Sequence, residues 1–460
     1  MADPIHVYRK ILRSGVEIRI KRKKYPITYP QYVWKKVPKS LHKVFADCLS
    51  YVATWHLPLI EEGGVVYHFA HPPIEPVFFK LLMYSIPMNY FEFKDVKVAD
   101  IIKKFYNANF QTQFKGINYS YSGKKVKKIT KESAVLLFSF GKDSLLTYAL
   151  LKELGVKTTL VFMKEPQCMF ENNHKKRLAN KFNDTFNQEV FFFPLSIGKL
   201  RQTDGYAWGW DIILSQYAFI LIPYYFHKQA KYFFFGNEQS CNFYTRNSED
   251  YLINPVFEQS VTAMQHVADI PKLFFINTHV GSLIEPVNEL FITYILHHRY
   301  PEIGRFQMSC FSDEPEAKKR RWCGKCEKCA RMYIFFRALN ISPDRTGFYE
   351  NNMLSLEKKD LYVIFNHNSD KSAYGGSGLG RDEQLIAFYM AYRNGAKGEL
   401  IDLFKTTYLA DIEIRKDKLI EDYFGIHSSY SLPSDLRKKT LRIFESEKKA
   451  VMKYVYNLIN

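Results

Sequence analysis

Ser139-Phe140-Gly141-Lys142-Asp143-Ser144 lies between an apolar run, Ala134-Val135-Leu136-Leu137-Phe138, and a helical pattern, Leu145 to Leu154, that stops at Gly155. Strand, tight turn and helix start together aim backbone N–H groups and a helix dipole at an anion. Gly141 lets the backbone approach a ligand with no side chain in the way. Lys142 adds a mobile positive charge. Asp143 and Ser144 can cap the helix, hold a magnesium ion or hydrogen-bond a phosphate. An ordinary strand-to-helix turn with a good cap would use the same residues. The agreement of motif and context favours phosphate. The spacing is not that of a Walker A loop, which places four residues between its first Gly and the Gly-Lys pair.

Working outward, residues 131–345 alternate apolar runs with amphipathic stretches. The runs are Ala134–Phe138, Thr158–Met163, Val190–Phe193 and Tyr232–Phe235. Between them lie Leu145–Leu154, Asn172–Phe186 and Trp210–His227, each long enough for a helix. The alternation predicts an α/β fold with a doubly wound parallel sheet. Ligands of such sheets bind beyond the carboxyl ends of the strands. Gly236-Asn237-Glu238-Gln239-Ser240 and Gln202–Trp208 are therefore expected to line the site. Asn237 and Glu238 also suit a turn, Asp204 and Asp211 suit N-caps, and Glu258-Gln259 suit a helix start.

Cys310 and Cys323-Gly324-Lys325-Cys326-Glu327-Lys328-Cys329 form the second constellation. Two overlapping Cys-x-x-Cys steps bring three thiolates to one ion, and Cys310, with twelve residues between it and Cys323, can supply a fourth. Four thiolates in a tetrahedron make a closed structural zinc site. An iron–sulfur cluster or a redox thiol pair are the other readings. Cys48, Cys168 and Cys241 are scattered and read as buried thiols.

The flanks divide the 460 residues into an N-terminal accessory or substrate domain, 1–130, of mixed α and β pattern, and a C-terminal, mostly helical region, 346–460. In the latter, Leu361–Phe365 reads as a short strand and Gly375–Asp382 as a flexible loop opening a helix. Arg381 in that loop can pair with a carboxylate or phosphate. Hydrophobic residues make up 47% of the chain and aromatic residues 16%, which excludes disorder over most of it. No apolar run is long enough to span a membrane, and Met1–Lys10 lacks the apolar core of a secretory signal. The cysteine usage suits a reducing cytosol. The net charge of +18, with clusters at Lys21–Lys24, Lys124–Lys128 and Lys318–Arg321, suits phosphate-rich partners: a nucleotide-linked substrate, RNA or an anionic membrane face. Solvated basic loops would account for any one cluster. Nothing in the sequence reports oligomeric state.

The Ser-x-Gly-Lys-Asp-Ser pattern resembles the PP-loop of the N-type ATP pyrophosphatases, whose fold is that of the adenine nucleotide α-hydrolases. With Ser139, Gly141, Lys142, Asp143 and Ser144 as the ATP-binding loop, the resemblance implies cleavage of ATP to AMP and pyrophosphate with Mg2+. The PP-loop followed by Cys-x12-Cys-x2-Cys-x2-Cys is similar to the 7-cyano-7-deazaguanine synthase branch, in which the cysteines hold structural zinc. A resemblance over most of the chain is to the MurL family, the UDP-N-acetylmuramoyl-L-alanyl-L-glutamate epimerases. It rests on Gly141–Leu145, Asn237-Glu238-Gln239-Ser240, Phe257-Glu258-Gln259, Ser309-Cys310, Arg321–Cys329 and Gly378-Leu379-Gly380-Arg381. It implies an ATP-dependent isomerase of peptidoglycan biosynthesis that activates a terminal glutamate carboxylate by adenylation and inverts its α-carbon. Asp143, Glu238, Glu258 and Arg381 become the candidate catalytic residues, with Asp211 a further candidate base. The other readings are amide or nitrile formation on an activated carboxylate, RNA modification, and a nucleotide-binding protein with a degenerate loop, for which Phe140 is the only support.

Overall fold

The computed structural model describes the whole chain except residues 1–2, 61–62, 90–96, 119, 122–131, 202–208, 211, 248, 311–319, 351, 367–377 and 460, and the side chains of 89, 378 and 379. Gln202–Trp208 (with Asp204), Asp211 and much of the basic clusters at 124–128 and 318–321 lie outside the described residues, as does most of the glycine-rich loop before Gly378.

The N-terminal sheet starts as an antiparallel meander of β1 (Ile5–Leu12), β2 (Gly15–Ile20) and β3 (Lys23–Thr28). β4 (Val65–Tyr67) and β5 (Gln113–Phe114) join it in parallel, giving the order β3-β2-β1-β4-β5. The longer helices that accompany it are α1 (His42–Val52), α2 (Glu75–Asn89) and α3 (Val98–Gln111).

The second sheet is parallel throughout. Its strands are β6 (Ser133–Leu137), β7 (Lys157–Lys164), β8 (Val190–Pro194), β9 (Tyr232–Phe234) and, after a small antiparallel pair β10 (Thr245–Arg246) and β11 (Leu252–Ile253), β12 (His279–Gly281). The order is β12-β9-β6-β7-β8. The chain lays down β6, β7 and β8 outward, then returns to place β9 on the other side of β6. That reversal is a topological switch point, and the loops after β6 and β9 flank it. The crossover helices are α4 (Lys142–Glu153), α5 (Met169–Phe186), and the pair α6 (Ile213–Ile220) and α7 (Ile222–Lys228). Trp210–His227 thus forms two helices rather than one; the junction is at Leu221, beside Pro223, which has no N–H for a continuing ladder. After β12 the chain is helical: α8 (Glu289–His298), α9 (Glu327–Ala338), α10 (Gly378–Arg393), α11 (Glu399–Tyr423) and α12 (Ser434–Ile459).

Strand periodicity of two decides which core each residue enters. Ala134, Leu136, Leu160, Phe162 and Phe234 face one side, where they pack with α4, α5, α8, α9 and the C-terminal helices. Val135, Val161, Met163, Phe233 and Phe235 face the other, with α6, α7 and the N-terminal sheet and helices. Both cores therefore include the central sheet; the first runs on past residue 345 and the second takes in residues before 131. Leu361–Phe365 is not a strand. Leu356–Leu361 is a 3-10 turn, and Tyr362, Val363, Ile364 and Phe365 curl on as bends and turns with their side chains buried. Val363 N donates to Gln384 Oε1 of α10 at 3.0 Å, so a side chain satisfies the amide that a neighbouring strand would have.

Phe140 adopts φ +62°, a region that costs an L-residue about 1 kcal/mol. Its ring is fully buried, 4.7 Å from Phe138 and 5.7 Å from Phe182, each edge-on. Its carbonyl accepts from Met308 N at 2.8 Å. The ring thus points into the core and does not narrow the loop. Replacing Phe140 with Ala removes the ring and keeps the strain; Gly removes both. Phe140→Ala is expected to cost about 3–5 kcal/mol, and Phe140→Gly no more than that, an inversion of the usual order read by urea unfolding of the two variants.

Two histidines are buried as neutral rings. Burial holds His56, which donates to Leu200 O at 2.9 Å, down to about 4, with Arg201 adding to the effect. Burial likewise lowers His297, 2.7 Å from Gln307 Oε1, to about 4. Both titrate near 6.5 in the unfolded chain. The unfolded state therefore binds more protons between pH 6.5 and 4, and stability falls as pH drops through that window. The loss reaches about 3 kcal/mol per histidine at pH 4. Denaturation midpoints at pH 7.5, 5.5 and 4.5 check this, and His297→Gln is expected to flatten the slope.

Candidate active site and metal centre

The turn after β6 closes on its own hydroxyls. Ser144 Oγ donates to Gly141 O at 3.1 Å and accepts from Ser139 N at 3.2 Å, while Gly141 N donates to Ser139 Oγ at 3.3 Å. Gly141 is the N-cap residue of α4, and no side chain caps that helix. Asp143 and Ser144 lie inside its first turn instead. A twelve-residue helix with an uncapped N-terminus directs partial positive charge and N–H donors beyond the carboxyl end of β6.

The loop after β9 packs against this turn. A Cβ on Gly236 would lie 2.7 Å from Asp143 Cβ, so only glycine permits the approach. It brings Glu238 to Lys142. Lys142 is 3% exposed. Its Nζ is 2.5 Å from Asp143 Oδ1, 3.4 Å from Glu238 Oε1 and 3.0 Å from Glu289 Oε1 at the start of α8. Burial alone would lower the Lys142 ammonium, but the three carboxylates outweigh it and hold the side chain charged. Glu289 also lies 3.1 Å from Arg331 Nε of α9. Burial raises the Glu289 carboxyl, yet Arg331 and Lys142 prevail and keep it ionised. Glu238 goes the other way. Burial lifts it well above the usual carboxylate range, Lys142 opposes this, and Asp143, Glu289 and Glu383 add to the lift. Glu238 Oε2 and Asn237 Nδ2 are buried without a hydrogen-bond partner, an unmet demand for donors and acceptors at the mouth of the turn. Glu383 of α10 accepts from Leu290 N at 2.8 Å and so ties the C-terminal region to the α8 N-terminus.

The other sequence candidates have partners of their own. Glu258 Oε2 accepts from Leu214 N at 3.0 Å and so binds the first turn of α6. The helix start nearby belongs to Ser260, whose Oγ accepts from Ala263 N. Arg381 is exposed, with Nη2 3.4 Å from Tyr408 Oη on α11. Cys241 Sγ is 3.7 Å from Gln259 Oε1, and burial with Glu238 nearby pushes its thiol well up. Glu289, Arg331, Lys328 and Glu383 were not among the sequence candidates. Glu289 had a usable signal, because it opens a helix shortly after a parallel strand, as Lys142 does. Lys328 and Arg331 stand in or beside the cysteine set, where the thiols draw attention.

Cys310, Cys323, Cys326 and Cys329 bring their sulfurs within 4.8 Å of one another. Cys310 and Cys326 are 4.0 Å apart, and Cys323 and Cys329 are 3.7 Å apart. A tetrahedron with metal–sulfur bonds of about 2.3 Å has edges of about 3.8 Å, so the set fits a metal ion such as zinc. Lys325 N donates to Cys323 Sγ at 3.3 Å, and Cys326 and Cys329 occupy the N-cap and first turn of α9, where the dipole favours thiolates. Trp322 anchors the loop: its Nε1 donates to Thr346 O at 3.0 Å and its ring stacks 5.0 Å from Phe348.

Comparison with protein-family models, curated proteins and solved structures returns no match to this chain.

The metal centre and the acidic cluster share α9. Purified protein is expected to carry about one metal ion per chain by elemental analysis. Cys329→Ser is expected to lose it and to cost about 3 kcal/mol or more in denaturant unfolding. A folded, metal-free wild type would contradict this.

Proposed function

We propose that this chain is a PP-loop ATP pyrophosphatase that activates a substrate carboxylate, and that its reaction is epimerisation of the terminal L-glutamate of a UDP-muramoyl dipeptide. The observation that carries the first part is the uncapped α4 N-terminus at the switch point, with Lys142 held among Asp143, Glu238 and Glu289. The choice of epimerisation rests on the sequence resemblance.

On this reading ATP and the dipeptide are substrates. The N–H groups at the start of α4, with Lys142, receive the phosphates. Asp143 and Glu238 hold Mg2+, an ion that takes one or two carboxylates and completes its shell with phosphate oxygens and water. The unpartnered Glu238 Oε2 fits that role. Mg2+ supplies charge neutralisation as pyrophosphate departs. A glutamate α-proton is very weakly acidic beside a carboxylate, since its removal builds a dianion. Transfer of AMP to that carboxylate removes the charge, after which a protein base can take the proton. Reprotonation from the other face inverts the centre, and hydrolysis releases the product. The four cysteines would hold structural zinc with no open position for a substrate. The reaction belongs in the cytoplasm, where nucleotide-linked precursors are made. Among the described residues no helix is long and apolar enough to cross a membrane.

Pyrophosphate release is expected from ATP, Mg2+ and the UDP-muramoyl dipeptide, with solvent deuterium entering the glutamate α-carbon. Release with other carboxylates and ammonia, but not with the dipeptide, would instead favour amide or nitrile formation. Silence with the whole panel would sink the pyrophosphatase reading. Lys142→Met is expected to lower release about 10²–10³-fold.

A further inference from the structure

We propose that a groove between the N-terminal sheet and the end of β8 binds a soluble organic anion, one that joins a phosphate group to an apolar body. The groove has a volume of about 580 Å³, within the range of small-ligand sites. Its apolar wall comes from Ile20, Tyr25, Leu57, Ile60 and Leu200. Its rim carries Lys21, Arg22, Lys23 and Lys199, and among the described residues no acidic side chain lines it. Arg22, Lys23 and Lys199 form no ion pair among the described residues.

Three features distinguish this from a solvated basic loop. The cations come from two chain segments far apart in sequence, the β2–β3 turn and the stretch after β8. Ser196 Oγ donates to Pro26 O at 2.6 Å and joins those segments. The turn itself is conformationally costly. Lys21 sits at φ +54° in a two-residue connection between paired Ile20 and Lys23, where Gly or Asn would be unstrained. Such outliers gather where a ligand is clamped. The floor is also fixed. Arg201 beneath the rim is buried, pairs with Glu165, donates Nη2 to Gln216 Oε1 at 2.7 Å and lies over the Trp210 ring at 4.9 Å. Its charge is thereby committed, and Arg22, Lys23 and Lys199 remain to meet an anion. An apolar wall beside a cationic rim selects a ligand with both characters, since either part alone leaves half the groove unmatched.

The test is calorimetric titration of the full-length protein with 1-naphthyl phosphate, inorganic phosphate, 1-naphthol and vesicles containing phosphatidylserine. 1-Naphthyl phosphate is expected to bind at least tenfold more tightly than phosphate or 1-naphthol. Arg22→Glu combined with Lys199→Glu is expected to weaken it at least tenfold. Both positions are exposed, so the melting temperature should hold. Ile60→Asp is a second variant expected to weaken binding through the wall. Equal affinity for inorganic phosphate, undiminished binding in both variants, or a preference for vesicles would each overturn the proposal. None of these readouts involves ATP turnover, so the result stands apart from that of the pyrophosphate assay.

Discussion

A buried ammonium cannot stand alone in a protein interior, because desolvating it costs several kcal/mol unless opposite charge surrounds it. Lys142 meets that demand with carboxylates from its own helix, the loop after β9 and the start of α8. Each lies far from the others in sequence. The ion group therefore requires the parallel order β12-β9-β6, which places β6 next to β9 and β9 next to β12. It equally requires Gly236, since any side chain there would push the β9 loop off Asp143. Truncating one carboxylate would leave Lys142 partly uncompensated, at a cost of the order of 3–5 kcal/mol for a buried pair.

The same group reaches the metal centre by two short routes. Through the backbone, Phe140 O accepts from Met308 N, two residues before Cys310. Through side chains, Glu289 meets Arg331, two residues after Cys329 on α9. A metal held by four thiolates would fix the start of α9 and hence the cation that keeps Glu289 ionised. This is a coupling through packed, hydrogen-bonded elements. The C-terminal region joins through Glu383, whose carboxylate caps α8 at Leu290 N. Residues beyond 345 also share an apolar core with the central sheet, and that contact lies at the junction.

What the sequence made legible follows local rules. Strand-turn-helix at Ser139, the alternation of apolar runs and the cysteine spacing each depend on neighbours within a few residues, and the parallel sheet and sulfur cluster match them. Phe140 was harder. Its side chain could be read as crowding the loop, but the left-handed φ turns the ring inward, and only tertiary packing on Phe182 shows that. Glu289, Arg331 and Glu383 have no local signature, since their roles arise from which helix ends meet. The Leu361–Phe365 run misled for the same reason: buried apolar residues fit a strand or a packed turn, and the partner decides. Glu258 and Arg381 were chosen for loop position, and their side chains serve α6 and approach Tyr408 instead.

Electrostatics at the turn adds an argument independent of motif. Around Lys142 stand the carboxylates of Asp143, Glu238, Glu289 and Glu383, against Lys142, Lys328 and Arg331 as cations. Lys142 and Arg331 are already engaged by carboxylates, so neither has its full charge to spare for an anion. The uncapped α4 terminus contributes about half a charge. With Glu238 ionised, a triphosphate approaching this surface would meet more negative than positive charge. Glu238 registers the same excess, its burial and acidic neighbours lifting it well above the carboxylate range. A divalent cation beside Asp143 and Glu238 would reverse both effects at once: it would ionise Glu238 and release part of Lys142 for the ligand. On the proposed reading, the metal dependence of nucleotide binding is thus a consequence of how many carboxylates the fold packs around one lysine.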